Sequence, residues 1–143
     1  MDITHHLKIK ATATTIYDAV SSREGIKGWW SADCEVGTAV GSASTLKFNK
    51  QGTLVVMGFK TLELRPGKRV EWVCTAMPNP AWIGTKIITE IKELNGSCEV
   101  TFSHTGFDEK WKGQGPFEET KATWNHFINS LVSFCEGGEG QPW

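Results

Sequence analysis

The sequence predicts an α+β fold. A curved antiparallel sheet of about six to seven strands wraps around one long helix near the end of the chain, and two short helices follow the first strand. Three observations lead there. Apolar residues alternate with period two in separate stretches from residue 3 to about residue 104. One apolar stripe at helical spacing runs from Trp124 to Cys135. Strands group together while helices are segregated at the two ends, the order that packs a sheet on helices in two layers. The 143 residues suit one domain, spanning 1–143, large enough for a core without staples.

In the opening stretch Ile3, His5, Leu7 and Ile9 share one parity, opposite Thr4, His6, Lys8 and Lys10, so it reads as a half-buried strand. Thr14 is placed to cap a short helix through Ile16, Tyr17, Ala19 and Val20. Ser22 is placed to cap a second, with Ile26, Trp29 and Trp30 on one face. Gly25 and Gly28 weaken that helix by roughly 1 kcal/mol each against alanine, so tryptophan packing must hold it.

From Cys34 to His104 the pattern is strand, turn, strand. Leu46 and Phe48 alternate with Thr45 and Lys47, and Gln51-Gly52 marks a hairpin turn. Residues 53–64 are long and mostly apolar, and a slip in parity predicts a bulge near Gly58. Arg65-Pro66-Gly67-Lys68 is a turn, after which Val70, Trp72 and Cys74 share a face. The Met77–Trp82 stretch, with prolines at 78 and 80, cannot be a central strand. Residues 85–94 alternate with Ile87, Thr89 and Ile91 on one side. Asn95-Gly96 is a strong hairpin signal, followed by Cys98, Val100, Phe102 and His104 on one face. Residues 106–115 read as a polar loop or lid. Pro116 suits the first position of the long helix, Glu118 and Glu119 suit its positive end, and Gly137 suits its stop. Its stripe is Trp124, Phe127, Ile128, Leu131 and Cys135; the tail after it is expected to be irregular, and Trp143 can either dock it or stay clear of the core.

Fifteen basic and 16 acidic residues leave a net charge of −1, which provides no footprint for nucleic acid or an anionic membrane. No apolar run reaches the roughly 18–20 residues of a membrane span, and the first residues lack the pattern of a secretory signal. The expectation is a cytoplasmic protein that does not insert in a membrane. The cysteines, at 34, 74, 98 and 135, form no C-x-x-C pair and read as four reduced thiols packed as small hydrophobes. No nucleophile-elbow, zinc-protease, P-loop or dinucleotide motif occurs. Neither a metal nor a cofactor is expected. Glu71, Glu90 and Glu99 fall on outward parity, with Lys86 or Lys92 as cross-strand partners.

Seven tryptophans accompany a single tyrosine. That much aromatic area requires a large filled core or a cavity with aromatic walls. Parity places Trp72 and the helix stripe places Trp124 to face each other across the interior. His104 points inward beside the polar loop. It is either a satisfied core histidine bonded to a backbone carbonyl or a polar handle able to act as acid or base near its ordinary pKa of about 6.5.

Several segments resemble a known family. Thr14-Thr-Ile-Tyr17-Asp-Ala-Val20 and Ile26-Lys-Gly-Trp29-Trp30 are similar to the start of the START-like, helix-grip (SRPBCC) superfamily. Within it, the chain resembles the branch of the activator of heat-shock-protein-90 ATPase homologues. Leu62-Glu-Leu-Arg-Pro-Gly-Lys-Arg69-Val-Glu-Trp72 resembles its central hairpin, and His104-Thr-Gly-Phe107 its last strand. Trp124-Asn-His-Phe127-Ile-Asn-Ser-Leu131 resembles its last helix. The chain departs from many relatives in its extended 53–59 run and its Pro78/Pro80 loop.

The resemblance implies a sheet gripping the helix with a cavity between them. The leading expectation is therefore non-catalytic binding of a small apolar or amphipathic ligand, lined by Trp72, Phe102, His104, Trp124, Phe127 and Ile128, with Trp30 or Phe107 near the mouth. The alternatives are a co-chaperone that stimulates a heat-shock-protein-90-type ATPase in a stress response, and a cyclase or dehydratase using His104. Either a monomer or a homodimer is compatible with these readings.

Overall fold

The computed structural model describes residues 1–143. Seven strands form one antiparallel sheet: β1 (Ile3–Ile9), β2 (Asp33–Glu35), β3 (Ala43–Lys50), β4 (Thr53–Arg65), β5 (Arg69–Ala76), β6 (Lys86–Glu93) and β7 (Cys98–Thr105). Their spatial order is β1-β7-β6-β5-β4-β3-β2. Helices α1 (Ala13–Ser21) and α2 (Arg23–Trp29) follow β1, and α3 (Gly115–Cys135) follows β7. Single 3-10 turns occupy Pro80–Trp82 and Glu109–Trp111. The 21 residues of α3 give it a length of about 31 Å. The architecture is the helix-grip fold that the alternation, the stripe and the element order predict.

Local chemistry explains most boundaries. Ser22 caps α2, its side chain accepting from Gly25 N at 3.0 Å. The cap of α1 is Thr12, whose Oγ1 accepts from Thr15 N at 3.1 Å; Thr14, the expected cap, lies inside the helix. In a run of three hydroxyl residues separated by one alanine, the side chains alone do not single out a cap. Gly25 has a packing role beyond its weak helix propensity. A Cβ there would lie 2.2 Å from the Asp18 carbonyl oxygen, so α2 crosses α1 closely only because the residue is glycine.

Strand β4 is the longest, at 13 residues. It shifts register against β5 at Gly58/Phe59, the expected bulge, and again at Thr61/Glu63. Its pairing is also uneven along its length. Every residue from Thr53 to Lys60 pairs with β3, but pairing with β5 begins only at Gly58, opposite Ala76. The chain then turns away at Met77 into the proline segment, because proline cannot donate to a ladder. The β3–β4 hairpin therefore projects past the end of β5. Beyond Gly58 the β5 side of β4 has no strand neighbour, and the sheet opens between the hairpin and the β5–β6 connection.

The core lies between the sheet and the helices. Trp124, Phe127, Ile128, Leu131 and Cys135 of α3 are all buried, as are Cys98, Val100, Phe102 and His104 of β7. The opposite face of β4–β6 carries charge. Arg69 binds Glu63 at 2.9 Å, Glu71 at 2.8 Å and Glu90 at 3.1 Å, and Lys86 reaches Glu71 at 3.7 Å. Glu90 thus pairs with an arginine rather than with the lysines its parity suggested. All four cysteines are free and buried, and burial pushes the thiols up, Cys74 to about 11 and Cys135 to about 12. No helix is long and apolar enough to cross a membrane.

Candidate functional site

The aromatic interior has a sealed end and an open end. At the sealed end His104 is 1% exposed and wholly bonded. Trp124 Nε1–H donates to His104 Nδ1 at 2.9 Å. An indole nitrogen only donates, so Nδ1 is the bare acceptor and Nε2 carries the proton. His104 Nε2–H in turn donates to Thr85 Oγ1 at 2.7 Å, and that hydroxyl donates to the Trp82 carbonyl. The Trp82 ring packs edge-on against His104 at 4.5 Å, and Phe107 lies 4.4 Å away on another side. Burial depresses the pKa of His104 to about 3, so the ring is neutral near pH 7. It is the satisfied core histidine, bonded by two side chains and not by a carbonyl.

Trp72 and Trp124 do not face each other across a space. Trp30 stands between them, its ring 6.2 Å from Trp72 in a stacked arrangement and 5.3 Å from Trp124. Trp29 stacks on Trp30 at 5.4 Å and donates through Nε1 to the Ala19 carbonyl at 2.7 Å. The position of Trp30 follows from α2, which ends against the interior with both tryptophans buried. Behind this ladder, between Trp72, Phe102, Ile87 and Val20, only about 10 Å³ remains. That is barely the room of one water molecule.

On the other side of Trp30 a cavity of about 490 Å³ opens to solvent. Its floor is Trp30, Trp82 and Trp124. One wall is the projecting hairpin, with Phe48, Val55 and Met57 inward and Asn49, Lys50 and Gln51 at its tip. A second wall is Met77, Pro78 and Asn79 of the β5–β6 connection; a third is Glu119, Thr120, Thr123 and Phe127 of α3. Trp143 supplies the last. Lys50 and Glu119 are the only charged residues of the lining. The long strand β4 and the proline loop thus provide two of the walls.

The proline loop is fixed in place by polar contacts. Trp82 Nε1–H donates to Thr120 Oγ1 at 2.8 Å, and Thr120 donates to the Pro116 carbonyl at 2.7 Å. Asn79 Nδ2 donates to that same carbonyl at 3.0 Å, while Asn79 Oδ1 accepts from Ala81 N at 3.0 Å. The loop and the first two turns of α3 are therefore bonded into one wall.

Of the residues picked from sequence, Trp30, Trp124 and Phe127 line the large cavity. Trp72 and Phe102 line the 10 Å³ remnant. His104, Phe107 and Ile128 line neither; Phe107 is 2% exposed, packed on His104 and Phe117 rather than at a mouth. The sequence reading did not include Phe48, Met57, Met77, Trp82, Thr120 or Trp143. Periodicity signalled Phe48 as inward-facing, but no local pattern connects it to residues 77–79 or 143. No three metal-ligating side chains gather anywhere in the structure.

Residues 10–136 match the model of the family described as Activator of Hsp90 ATPase homolog 1-like protein. No curated protein matches the chain. Among solved structures, the Aha1 dimer from Colwellia psychrerythraea is 31% identical, with a TM-score of 0.79 over 98% of this chain and 99% of that one. A protein from Chromobacterium violaceum is 19% identical, with a TM-score of 0.75 over 94% and 96%. An AHSA1-like protein from Aeromonas hydrophila is 14% identical, with a TM-score of 0.72 over 95% and 92%. At the last two identities the likeness is one of fold. The family model covers most of the chain, and the Colwellia relative matches it nearly end to end, so the chain belongs to the Activator of Hsp90 ATPase homolog 1-like family.

Proposed function

We propose that this domain binds one small apolar or amphipathic molecule, lipid-like or aromatic, between sheet and helix, without covalent chemistry. The cavity of about 490 Å³ carries the reading. Its size falls within the roughly 300–1,000 Å³ of small-molecule sites, and its lining is mostly apolar with a few polar groups, as such sites require. Trp30, Trp124 and Phe127 are the predicted contact residues it retains, joined by Phe48, Met57, Met77, Trp82 and Trp143. Three of the buried tryptophans, Trp29, Trp82 and Trp124, donate their indole N–H to protein acceptors. Trp30 and Trp72 make no such bond, and of these two only Trp30 lines the cavity, which leaves its N–H for a polar atom of the ligand. The experiment is a titration with fatty acids, sterols and polycyclic aromatics, read by tryptophan fluorescence. Saturable quenching or a spectral shift with at least one class supports the reading; a flat response to all of them removes it.

The family description and the dimeric Colwellia relative favour a second reading. In it the domain forms a homodimer and contacts a heat-shock-protein-90-type chaperone through its surface. Co-purification of such a chaperone with stimulation of its ATPase is the expected result, and absence of both disposes of it. Acid–base catalysis by His104 has less support, because both ring nitrogens are engaged and the ring is held neutral.

A further inference from the structure

The segment after α3 has no regular secondary structure, yet it is bound at almost every residue. Ser133 Oγ donates to the Glu139 carbonyl at 2.8 Å, and Gln141 N donates to Ser130 Oγ at 2.6 Å. His126 Nε2 meets the Gln141 carbonyl at 2.9 Å. Trp143 N donates to the Trp30 carbonyl at 3.0 Å, and Ala32 N donates to the Trp143 carbonyl at 3.0 Å. That last pair ties the segment by backbone to the stretch carrying Trp30, the floor of the cavity.

Gly140 shows that the docking is built into the packing. A Cβ at this position would lie 2.0 Å from the Gly28 carbonyl oxygen and 3.0 Å from Trp29 Cα. The strap therefore lies flat on α2 only with glycine at 140. Its end delivers the Trp143 ring onto Phe127 at 4.7 Å and His126 at 4.9 Å. One side of Trp143 is in the cavity lining, and the residue is still 46% exposed. It is the most exposed tryptophan of the site, held by backbone bonds at the cavity's edge.

We infer that Trp143 is a specificity-determining residue. Residues 139–143 form a strap that completes the cavity, and the indole at its end limits the size of the molecule the cavity accepts. This inference rests on the binding reading above. Trp30, Trp82 and Trp124 are buried and offer a fixed floor. Like the proline loop, the strap is a wall made outside the sheet and α3, and the Trp143 ring is 46% exposed, so a change there alters the outline of the site without disturbing the core.

The test uses the fluorophore 1-anilinonaphthalene-8-sulfonate and its doubled form bis-ANS, with wild-type protein and four variants. Thr123→Phe fills the cavity from α3 and should abolish binding of both probes. Trp143→Ala should weaken the small probe roughly two- to twelvefold, the range of one aromatic contact. It should also raise the affinity of the doubled probe relative to the small one. Trp143→Phe should restore most of the wild-type ratio. Gly140→Ala removes no side chain of the cavity, yet should move the ratio as Trp143→Ala does and speed hydrogen exchange at the Trp143 and Ala32 amides. If wild type binds and Thr123→Phe does not, while both strap variants keep the wild-type ratio, the inference is overturned and the binding reading stands. If wild type and Thr123→Phe respond alike to both probes, the binding reading fails and the inference falls with it.

Discussion

The two ends of the aromatic interior use the same residue types to opposite effect. Around His104 every donor has an acceptor, rings meet edge to face, and about 10 Å³ is left beside Trp72. Around Phe127 and Met57 the rings line a space of about 490 Å³. Side-chain polarity does not account for the difference, since both ends are aromatic. What differs is the backbone. At the sealed end β6, β7 and β1 pair along their whole lengths, and β5 pairs with β6 from Arg69 to Val73. At the open end β5 stops at Ala76 while β4 runs on to Thr53, and the proline segment swings away to make a wall. An aromatic core becomes a cavity where strand pairing ends early and a loop, not a strand, continues the surface.

The largest break in this contrast should come from Trp29. Replacing it by alanine removes a stacked neighbour of Trp30 and the bond to Ala19, and should cost about 3–5 kcal/mol in denaturant unfolding. Met57→Ala, on the cavity wall, should cost less than about 2 kcal/mol, because one side of that side chain already lacks packing partners. Equal losses at the two sites would refute the division into sealed and open ends.

Acid should act on the sealed end. The folded ring of His104 titrates near 3, against 6.5 in the unfolded chain. Below pH 6.5 the unfolded state takes up a proton that the folded state refuses, so stability is full above that pH and falls as pH drops toward 3. The loss should reach roughly 4 kcal/mol. His104→Gln retains an acceptor and a donor but does not titrate, so its pH–stability curve should be flatter across that window. An unchanged acid slope would mean that another group governs it.

Smaller effects sharpen the wall of the open end. Thr120→Val keeps the shape but orphans the buried Trp82 N–H, at a cost of about 1–3 kcal/mol, and Thr120→Ser should recover most of it. If Val and Ser variants unfold alike, the bond between loop and helix is not what holds the wall. Smallest of all, Trp143→Ala should cost less than about 1 kcal/mol, since the residue is half exposed and its main effect falls on ligand choice.

Strand faces were legible because parity is a short-range signal: Cys98, Val100, Phe102 and His104 all point inward as read. The same holds for the Asn95-Gly96 turn and the Ser22 cap, while Pro116, expected at the first position of α3, is its second residue after Gly115. The cavity was less legible for a physical reason. Parity says which way a side chain points, but whether space remains there depends on where neighbouring strands stop and what crosses from elsewhere. Trp30 fills the gap between Trp72 and Trp124 through the crossing of α2, and Gly25 shows how close that crossing is. Trp143 reaches the site through the strap, which hydrophobic periodicity does not describe. The parity slip in 53–64 and the two prolines marked where pairing would fail, and in hindsight they bracket the opening.

The seven indole N–H groups offer a reporter at each end of the interior. The most direct test is a proton–nitrogen correlation spectrum recorded while 1-anilinonaphthalene-8-sulfonate is added to the protein. Occupancy of the open end should shift the indole signals of Trp30, Trp82, Trp124 and Trp143 along one saturable curve, with Trp29, Trp72 and Trp111 nearly still. Movement of Trp29 and Trp72 instead, or no movement of Trp30 and Trp143 at saturation, would contradict the assignment of the binding site to the open end.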